Sequence, residues 1–195
     1  MESTNQPSED HPDTVTVSNA VTADIEQMSV VGTAAFLAQF EDAPEPLQAR
    51  INVVSNQSIQ LGFAKDLTTA LNDNSKATIV ARNASGEVLG FAQLSKNKPC
   101  VFLPKDHDTT NWASLDMLYV NPEHHGKSVR TRLMQAAEEI CRKEGAEMMW
   151  LIAYERNLPA LILYKKCGFG LKSNTVFDKQ IDARNSLVLV KSIRD

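Results

Sequence analysis

The spacing of apolar residues along the first third of the chain predicts one strand followed by helices. Thr and Val alternate over residues 14–18, which is typical of a short strand. Apolar side chains then recur near helical spacing over residues 22–40. After a proline-containing break, a second helical stretch covers residues 47–71, with an interruption predicted around residues 56–58.

A hairpin and a long loop are predicted in the middle of the chain. Residues 76–82 and 87–94 are rich in β-forming residues, and turn chemistry around Gly86 separates them. Residues 95–113 form a polar, proline-containing loop, and loops of this length are often functional. Beyond the loop, the pattern predicts a strand, a helix, an apolar strand, a short helix and two further strands, at residues 115–120, 127–144, 148–154, 157–167, 169–177 and 186–192.

The order of these elements predicts an α/β (α+β) fold, with a central sheet of mixed direction and helices on its faces. Residues 115–154 form a βαβ unit whose crossover is long enough to join parallel neighbours. A chain of 195 residues is expected to hold about one domain. We therefore expect a disordered polar tail at residues 1–13 and a single domain at residues 14–195.

Composition and segment length exclude several classes of protein. The longest apolar run, residues 148–154, is far short of the roughly 20 residues that span a bilayer, so no membrane association is expected. The first residues lack the basic and apolar parts of a secretory signal, so we expect the protein in the cytoplasm or the nucleus. The cysteines are too few and too scattered for a disulfide framework or a zinc site and are expected to be reduced thiols, namely Cys100, Cys141 and Cys167.

The charges are distributed unevenly along the chain. The formal net charge is −4, but residues 1–49 contain nine acidic residues and no Lys or Arg, so the remaining 146 residues carry +5. This asymmetry favours a small anionic ligand bound by the later part of the chain. Nucleic acid is not an expected partner, because the chain has no long basic stripe and its isoelectric point is about 5.6.

One segment of the chain carries the most informative chemistry. A buried strand runs into a turn at Gly126 and then into a helix, so the N–H groups of residues 126–129 are expected to bind an anion. Lys127, Arg130 and Arg132 lie in the first turns of this helix, where the macrodipole disfavours cations, which indicates a negative ligand. The alternative is that acidic neighbours neutralise these cations on a solvated surface, namely Glu123, Glu138 and Glu139.

The motifs around this turn follow a recognisable order. The strand ends in Leu118-Tyr119-Val120, Asn121-Pro122 follows, and Gly126 precedes the helix. Further along come the apolar residues 149–153, then Asn157, Ala160, Tyr164 and Gly168-Phe169. In this order and spacing the chain resembles the GNAT superfamily of acyl-CoA-dependent N-acetyltransferases, most sharply over residues 115–169. The resemblance implies the GNAT fold, a mixed, mostly antiparallel sheet of about seven strands flanked by helices.

Three positions depart from the pattern of that family. His125 stands where the family has Arg or Gln, Ser128 where it has the first Gly, and Arg130 where it has the second Gly or Ala. Ser128 can still present its N–H and a hydroxyl to a phosphate. Two outcomes stay open at Arg130, whose side chain either grips a phosphate as a bidentate donor or obstructs the close approach of the backbone. His124 and His125 are expected to shape the turn rather than to transfer protons.

The resemblance implies acetyl-CoA as the cosubstrate and no metal. The strand edge at residues 118–120 would pair with the pantetheine amides as an added strand does, and the turn would hold the pyrophosphate. Asn157 would bond a pantetheine amide or keep the strands apart, or it would cap the helix that follows. The cofactor-binding residues implied in this way are Leu118, Tyr119, Val120, His125, Gly126, Lys127, Ser128, Val129, Arg130 and Asn157.

The resemblance also implies roles in catalysis. Tyr164 matches the position of the acid that protonates the departing thiolate, and the alternative is a half-buried tyrosine that covers the sheet. Asp116 is the candidate base, since some family members carry an acid there, and the alternative is a solvated carboxylate at a sheet edge. Glu155 and His107 are substitute candidates for the base. The cysteines are expected to be packing residues, so direct transfer without a covalent acyl-enzyme is favoured.

We therefore predict an N-acetyltransferase that moves an acetyl group from acetyl-CoA to an amine of a small molecule or peptide by direct attack. The acceptor pocket is expected between the first two helices and the loop at residues 95–113. Glu41, Asp42 and Glu45 there indicate a cationic acceptor, or they are plain solubilising charge. The alternatives are a catalytically inactive GNAT-fold module that binds acyl-CoA or a protein, and an acetyltransferase of protein lysines or N-termini. The protein is expected to be a monomer or a homodimer.

Overall fold

The computed structural model describes residues 14–41, 45–124, 128–178 and 182–194, and the tail predicted at residues 1–13 lies outside them. The strands are β1 (Thr16–Asn19), β2 (Lys76–Arg82), β3 (Val88–Ser95), β4 (Trp112–Val120), β5 (Met148–Tyr154), β6 (Gly170–Asp178) and β7 (Asp182–Ser192). The α-helices are α1 (Ile25–Ala38), α2 (Glu45–Asn52), α3 (Asn56–Leu71), α4 (Val129–Lys143) and α5 (Leu158–Lys166). Short 3-10 helices cover Thr22–Asp24 and Pro122–His124.

The seven strands form one sheet in the order β1-β2-β3-β4-β5-β7-β6. Every neighbouring pair is antiparallel except β4 and β5, which run parallel and are joined through α4. A parallel pair needs a crossover of this length, so the predicted βαβ unit is confirmed. The predicted fold class, a mixed and mostly antiparallel seven-stranded sheet with flanking helices, is also confirmed.

Helices cover both faces of the sheet. The apolar stripe of α4 packs on one face, where Leu133 is 0% exposed, and Leu161 of α5 joins the same cluster. On the other face α1 and α3 pack through Met28 and Leu67, each also 0% exposed. None of the helices within the described ranges is both long and apolar enough to cross a bilayer.

The predicted boundaries differ from the structure at two informative places. The break between α2 and α3 falls at residues 53–55 rather than at residues 56–58, because the Ser55 hydroxyl accepts a hydrogen bond from the Ser58 N–H and caps α3. Strand β4 begins at Trp112, within the stretch predicted as a loop. Its first three residues provide all of its pairing with β5, and two of them, Trp112 and Ala113, belong to the stretch that the sequence pattern assigned to the loop.

A glycine allows β3 and β4 to approach closely. A Cβ atom on Gly90 would lie 2.7 Å from the carbonyl oxygen of Tyr119 and 2.8 Å from a methyl carbon of Val120. A side chain at this position would therefore force β3 away from the end of β4.

Candidate active site

A recess opens where β4 and β5 part. The described residues of these strands pair at three positions and no further: Trp112 with Met148, Ala113 with Met149, and Ser114 with Trp150. Beyond them β4 stays paired with β3 as far as Val120, and β5 stays paired with β7 as far as Tyr154. Each strand therefore follows its outer neighbour, and a recess of about 260 Å³ lies between them.

A bulge in β4 coincides with the divergence. Leu94 lies opposite Leu115 and Gln93 lies opposite Met117, so the register skips Asp116. A bulge bends the strand and increases its twist. Because this bend follows the last pair between β4 and β5, it turns the rest of β4 away from its parallel neighbour.

The carboxylate of Asp116 is the centre of a hydrogen-bonded cluster. Its Oδ2 accepts a hydrogen bond from Ser95 at 2.5 Å and lies 3.4 Å from the Lys76 ammonium. Its Oδ1 accepts hydrogen bonds from Ser114 at 2.6 Å and from Lys98 at 3.0 Å. Burial by itself would raise the pKa of Asp116, but the bonds from Ser114, Ser95 and Lys98 and the charge of Lys98 outweigh it and lower the pKa. The side chain is thus a stable anion.

This environment bears on both interpretations of Asp116. The side chain is 15% exposed, so the alternative of a solvated carboxylate at a sheet edge is wrong. A carboxylate with a lowered pKa and several donors is a weak proton acceptor, because protonation would give up those hydrogen bonds. The role of general base stays a prediction, and the geometry favours a charge-bearing role for this group.

Tyr164 of α5 lines the recess from the side of β5. Its ring packs edge-on against Phe169, with 6.0 Å between ring centres, and the residue also borders the core. Burial raises the pKa of the phenol to about 12, and the nearby Tyr119 phenol adds to this while Arg130 opposes it. The phenol is therefore a neutral hydrogen-bond donor over the whole physiological range.

The start of α4 was predicted to bind phosphate. Its N-cap, Ser128, has φ 58° and ψ 0°, the left-handed conformation that glycine favours, and its side chain makes no capping hydrogen bond. The side chain of Val129 is 1% exposed and packs in the core. His125, Gly126 and Lys127, also predicted to contribute, lie outside the described residues.

Arg130 lines the recess together with Tyr164. The residue is partly buried, and burial lowers the pKa of its guanidinium, while the Tyr164 phenol opposes that change. The side chain that replaces the small residue of the family pattern is thus directed at the recess, where it can meet a negative ligand or fill part of the space.

The remaining predicted residues also meet at the recess. Leu118, Tyr119 and Val120 line it along β4, and Tyr119 contacts Phe63 on the opposite face of the sheet, with 5.2 Å between ring centres. Asn157 borders the recess at the start of α5. Its Oδ1 accepts a hydrogen bond from the Ala160 N–H at 3.2 Å, so the predicted N-cap role is confirmed.

The substitute candidates lie elsewhere. His107 is exposed in the loop before β4, with Nδ1 3.3 Å from Asp106, and neither His107 nor Glu155 lines the recess. Among the described residues no group of His, Cys, Asp or Glu side chains is placed to hold a metal ion, and the predicted lack of a metal stays a prediction.

The three cysteines are free thiols, as predicted. Burial raises the pKa of each of them, that of Cys141 to about 11, with nearby carboxylates adding to the effect at Cys141. A thiol with a raised pKa is a poor nucleophile at neutral pH.

A second cavity of about 670 Å³ adjoins the recess on the face of α1 and α3. The elements from which the acceptor pocket was predicted, α1, α3 and the loop before β4, contribute to its lining through Phe36, Asp66 and Lys98 among others, and binding of the acceptor there stays a prediction. Asp116 and Tyr154 line both spaces. Glu41 and Glu45, predicted to set the charge of the pocket, are exposed and do not line it, and Asp42 lies outside the described residues.

Sequence reasoning missed the partners of Asp116. Lys76, Ser95 and Lys98 precede it by 18 to 40 residues. The pairing of β2, β3 and β4 brings the first two to Asp116, and the loop before β4 brings Lys98. The sequence did contain one signal of a polar cavity beside this strand. Gln93 is an amide within the otherwise apolar run of β3 from Val88 to Leu94. The structure buries Gln93 to 4% exposure on the wall of the second cavity.

The sequence of this chain is similar to those of known proteins. A family model described as "Acetyltransferase (GNAT) family" matches residues 52–169. Streptothricin acetyltransferase from Streptomyces lavendulae is 30% identical over 98 residues, which are 50% of this chain and 47% of that protein. The chain therefore matches about half the length of this relative. An uncharacterised N-acetyltransferase from Mycobacterium tuberculosis is 26% identical over 170 residues, 87% of this chain and 98% of that protein.

A solved structure shares the fold over nearly the whole chain. The PaiA N-acetyltransferase from Thermoplasma acidophilum, in complex with coenzyme A, superposes with a TM-score of 0.62 at 18% identity. The match covers 92% of this chain and 99% of that chain.

Proposed function

Because the chain belongs to the GNAT family of acetyltransferases, we propose that it moves an acetyl group from acetyl-CoA to an amine of a small molecule or peptide. The proposed catalytic unit is a single domain, residues 14–195. The observation that carries the proposal is the recess between β4 and β5, with the protonated phenol of Tyr164 in its wall.

The residues around the recess suit acetyl-CoA as a substrate. The recess runs beside Leu118, Tyr119 and Val120 and gives an extended chain of amides room to lie along β4. The positive end of the α4 dipole and the Arg130 side chain favour phosphate near the start of that helix. His125, Gly126, Lys127, Ser128 and Val129 would supply backbone N–H groups to the same phosphates, and Asn157 would offer its amide N–H to the pantetheine chain.

We assign direct transfer to the reaction. The neutral amine attacks the thioester carbonyl carbon, a C–N bond forms and the C–S bond breaks. The Tyr164 phenol donates its proton to the departing thiolate sulfur, and the amine loses its proton to a base or to water. The raised pKa values of the cysteine thiols support direct attack over an acyl-enzyme.

We propose Asp116 as the base because it lines the recess, whereas Glu155 and His107 do not. Its lowered pKa keeps it ionised and makes it a weak proton acceptor, so proton removal at Asp116 proceeds through a water relay in this proposal. An aliphatic ammonium with a pKa near 10.4 needs such help, because only a small fraction is neutral at pH 7.

A second candidate function rests on Arg130. Its partly buried side chain lines the recess where the family has a small residue, which suits a catalytically inactive GNAT-fold module. In that case the guanidinium would fill the space that the thioester needs.

Calorimetric titration with acetyl-CoA, followed by an amine panel with thiol release as the readout, tests the proposal. We expect saturable binding at one site and acetyl transfer to at least one amine. A chain that acetylates no amine, with or without binding of acetyl-CoA, would support the inactive module. A chain that does not bind acetyl-CoA would refute the proposed transfer.

The Arg130→Ala variant is the matched test of that side chain. Weaker binding of acetyl-CoA by Arg130→Ala would assign the guanidinium to phosphate or thioester binding. Tighter binding would show that it obstructs the recess.

A further inference from the structure

The second cavity has a definite chemical character. Aromatic side chains form much of its wall, including Phe36, Phe102, Tyr119 and Trp150. It shares Asp116 with the recess, so a molecule bound there can reach the proposed thioester position. A concave site that combines aromatic and other apolar side chains with polar groups suits a small molecule.

The inner end of this cavity carries an excess of positive charge. The ammonium groups of Lys76 and Lys98 lie 3.4 Å and 3.0 Å from the single carboxylate of Asp116. Ser95 and Ser114 also donate to that carboxylate, so it is already well supplied with donors. Two cations around one anion leave a net charge of +1 at this end.

Asp66 is the second carboxylate that lines the cavity. It lies at an exposed position on α3, and among the described residues no ion pair joins it to Lys76 or Lys98, so the excess of positive charge is local to the Asp116 cluster. Tyr119 and Tyr154 contribute phenol rings to the lining and add no further carboxylate. A concave site with low-dielectric walls concentrates the field of the two lysines on whatever binds there.

Lys98 is placed to meet a ligand. Among the described residues its ammonium contacts the Asp116 carboxylate and lies 5.8 Å from the ring centre of Trp150. An ammonium has three N–H donors, and the Lys98 side chain is 44% exposed. It can therefore hold Asp116 and still donate to an oxyanion in the cavity.

Gln93 places a buried amide in the wall of the same cavity. Its residue is 4% exposed, and its Oε1 is enclosed and has no hydrogen-bond partner among the described residues. A buried carbonyl oxygen without a donor is costly, which marks this wall as an unusual place for a polar side chain. Gln93 lies opposite Met117 on β4, next to the bulged Asp116.

We propose that the acceptor is an amine that also carries an acidic group, as a free amino acid does. This inference rests on the proposed acetyl transfer and names its substrate class. The acidic group binds to Lys98 and Lys76, and the apolar part of the molecule packs on the aromatic wall. The lysines around Asp116 thus favour the opposite acceptor charge to the one predicted from Glu41, Asp42 and Glu45.

Matched acceptors test the proposal. Thiol release from acetyl-CoA is measured with free amino acids, with the corresponding amino-acid amides, and with simple diamines. We expect kcat/KM for the free acid to exceed that for its amide by about ten-fold or more, the effect of one charge-assisted contact. Equal or higher kcat/KM for the amides or diamines would overturn the proposal.

Lysine variants locate the contact. Lys98→Met should reduce the preference for acid over amide at least several-fold, mainly through KM for the acid, and Lys76→Met should do so to a smaller extent. Lys143→Met is the matched control, because Lys143 lies on α4 on the other face of the sheet and pairs with Glu139 at 2.7 Å. A preference that survives both Lys98→Met and Lys76→Met would assign the lysines to charge balance around Asp116.

Binding of acetyl-CoA, measured by calorimetry, separates the two levels of the proposal. A protein that binds acetyl-CoA and acetylates amides or diamines in preference to acids would retain the proposed function and lose this substrate class. Failure of acetyl-CoA binding would remove both.

Discussion

Two ionisable side chains at the recess are held in opposite protonation states. Burial raises the pKa of the Tyr164 phenol to about 12, whereas hydrogen bonds and the Lys98 charge lower the pKa of the Asp116 carboxyl against the effect of burial. Groups whose environments push their pKa values apart are suited to different steps of one reaction. A neutral phenol can donate a proton, and a permanent carboxylate can hold a cation.

Replacement of Tyr164 by Phe tests the proton donor. Phe fills nearly the same space, so folding and affinity for acetyl-CoA should change little. Turnover should fall by about 100-fold, the lower end of what general acid catalysis contributes. Steady-state kinetics that show full turnover for Tyr164→Phe would clear this residue of the role, provided that thermal unfolding shows an intact fold.

Ser128 carries a backbone cost that glycine would not. Its φ of 58° places a Cβ atom in the left-handed region, at a cost of about 1 kcal/mol. Ser128→Gly should therefore raise the free energy of unfolding by up to about 1 kcal/mol, less the entropy that glycine adds to the unfolded chain. Urea denaturation measures the change.

Ser128→Ala is the matched control for that measurement. Ala keeps the Cβ atom and removes only the hydroxyl, which makes no capping hydrogen bond, so no gain is expected. Equal stability of the Gly and Ala variants would contradict the left-handed conformation at this position.

At the scale of elements, the recess results from how three strands are paired. Strand β4 remains paired with β3 on both sides of the bulge at Asp116, and β5 remains paired with β7 to its end at Tyr154. Helix α5 then starts at the mouth of the recess, and its N-cap residue, Asn157, lines the same space. The amide side chain of Asn157 thus caps α5 and also borders the recess.

Variants of Asn157 separate its structural role from the proposed binding role. Asn157→Ala removes the N-cap oxygen and should lower the free energy of unfolding by about 1 kcal/mol. Asn157→Asp keeps a capping oxygen, so its free energy of unfolding should stay close to that of the unmodified protein. It lacks the amide N–H. If the amide also binds pantetheine, KM for acetyl-CoA should stay raised in Asn157→Asp, and a KM equal to that of the unmodified protein would restrict Asn157 to capping.

At the scale of the whole molecule, the Asp116 cluster joins β2, β3, β4 and the loop before β4. Lys76, Ser95 and Lys98 come from different parts of the chain, and each donates to the same carboxylate. Removal of a mostly buried charge from such a cluster leaves its partners without their common acceptor.

The cluster predicts how stability depends on pH. The pKa of Asp116 is lowered in the folded state, so its contribution is present above the unfolded-state pKa, near 3.9, and is lost as pH falls below it. Asp116→Asn should lower the free energy of unfolding by about 2 kcal/mol at pH 7, and the deficit should shrink toward pH 2.

Asp108→Asn is the control for this pH dependence. Its carboxyl pKa is also lowered, by hydrogen bonds from Thr110, but Asp108 is exposed in the loop before β4. The free energy of unfolding of Asp108→Asn should therefore match that of the unmodified protein at each pH. The free energy of unfolding of each variant is measured by denaturation between pH 7 and pH 2. If the two values change in parallel with pH, the result would contradict a special role for the Asp116 cluster.

The sequence by itself determined the order of the elements and the positions of Tyr164 and Asn157. Hydrophobic spacing is a local property, and the motif from Leu118 to Phe169 is continuous along the chain, so both can be seen without a structure. The N-cap role of Asn157 follows from its own helix for the same reason.

Only the tertiary structure decided the start of β4, the state of Asp116 and the charge of the second cavity. Trp112 to Ser114 form a strand because β5 lies beside them, although their local surroundings are typical of a loop. Lys76 meets Asp116 through the pairing of β2, β3 and β4, and Lys98 meets it from the loop before β4. A pKa and a net local charge depend on which groups meet in space, and the linear pattern does not contain that information.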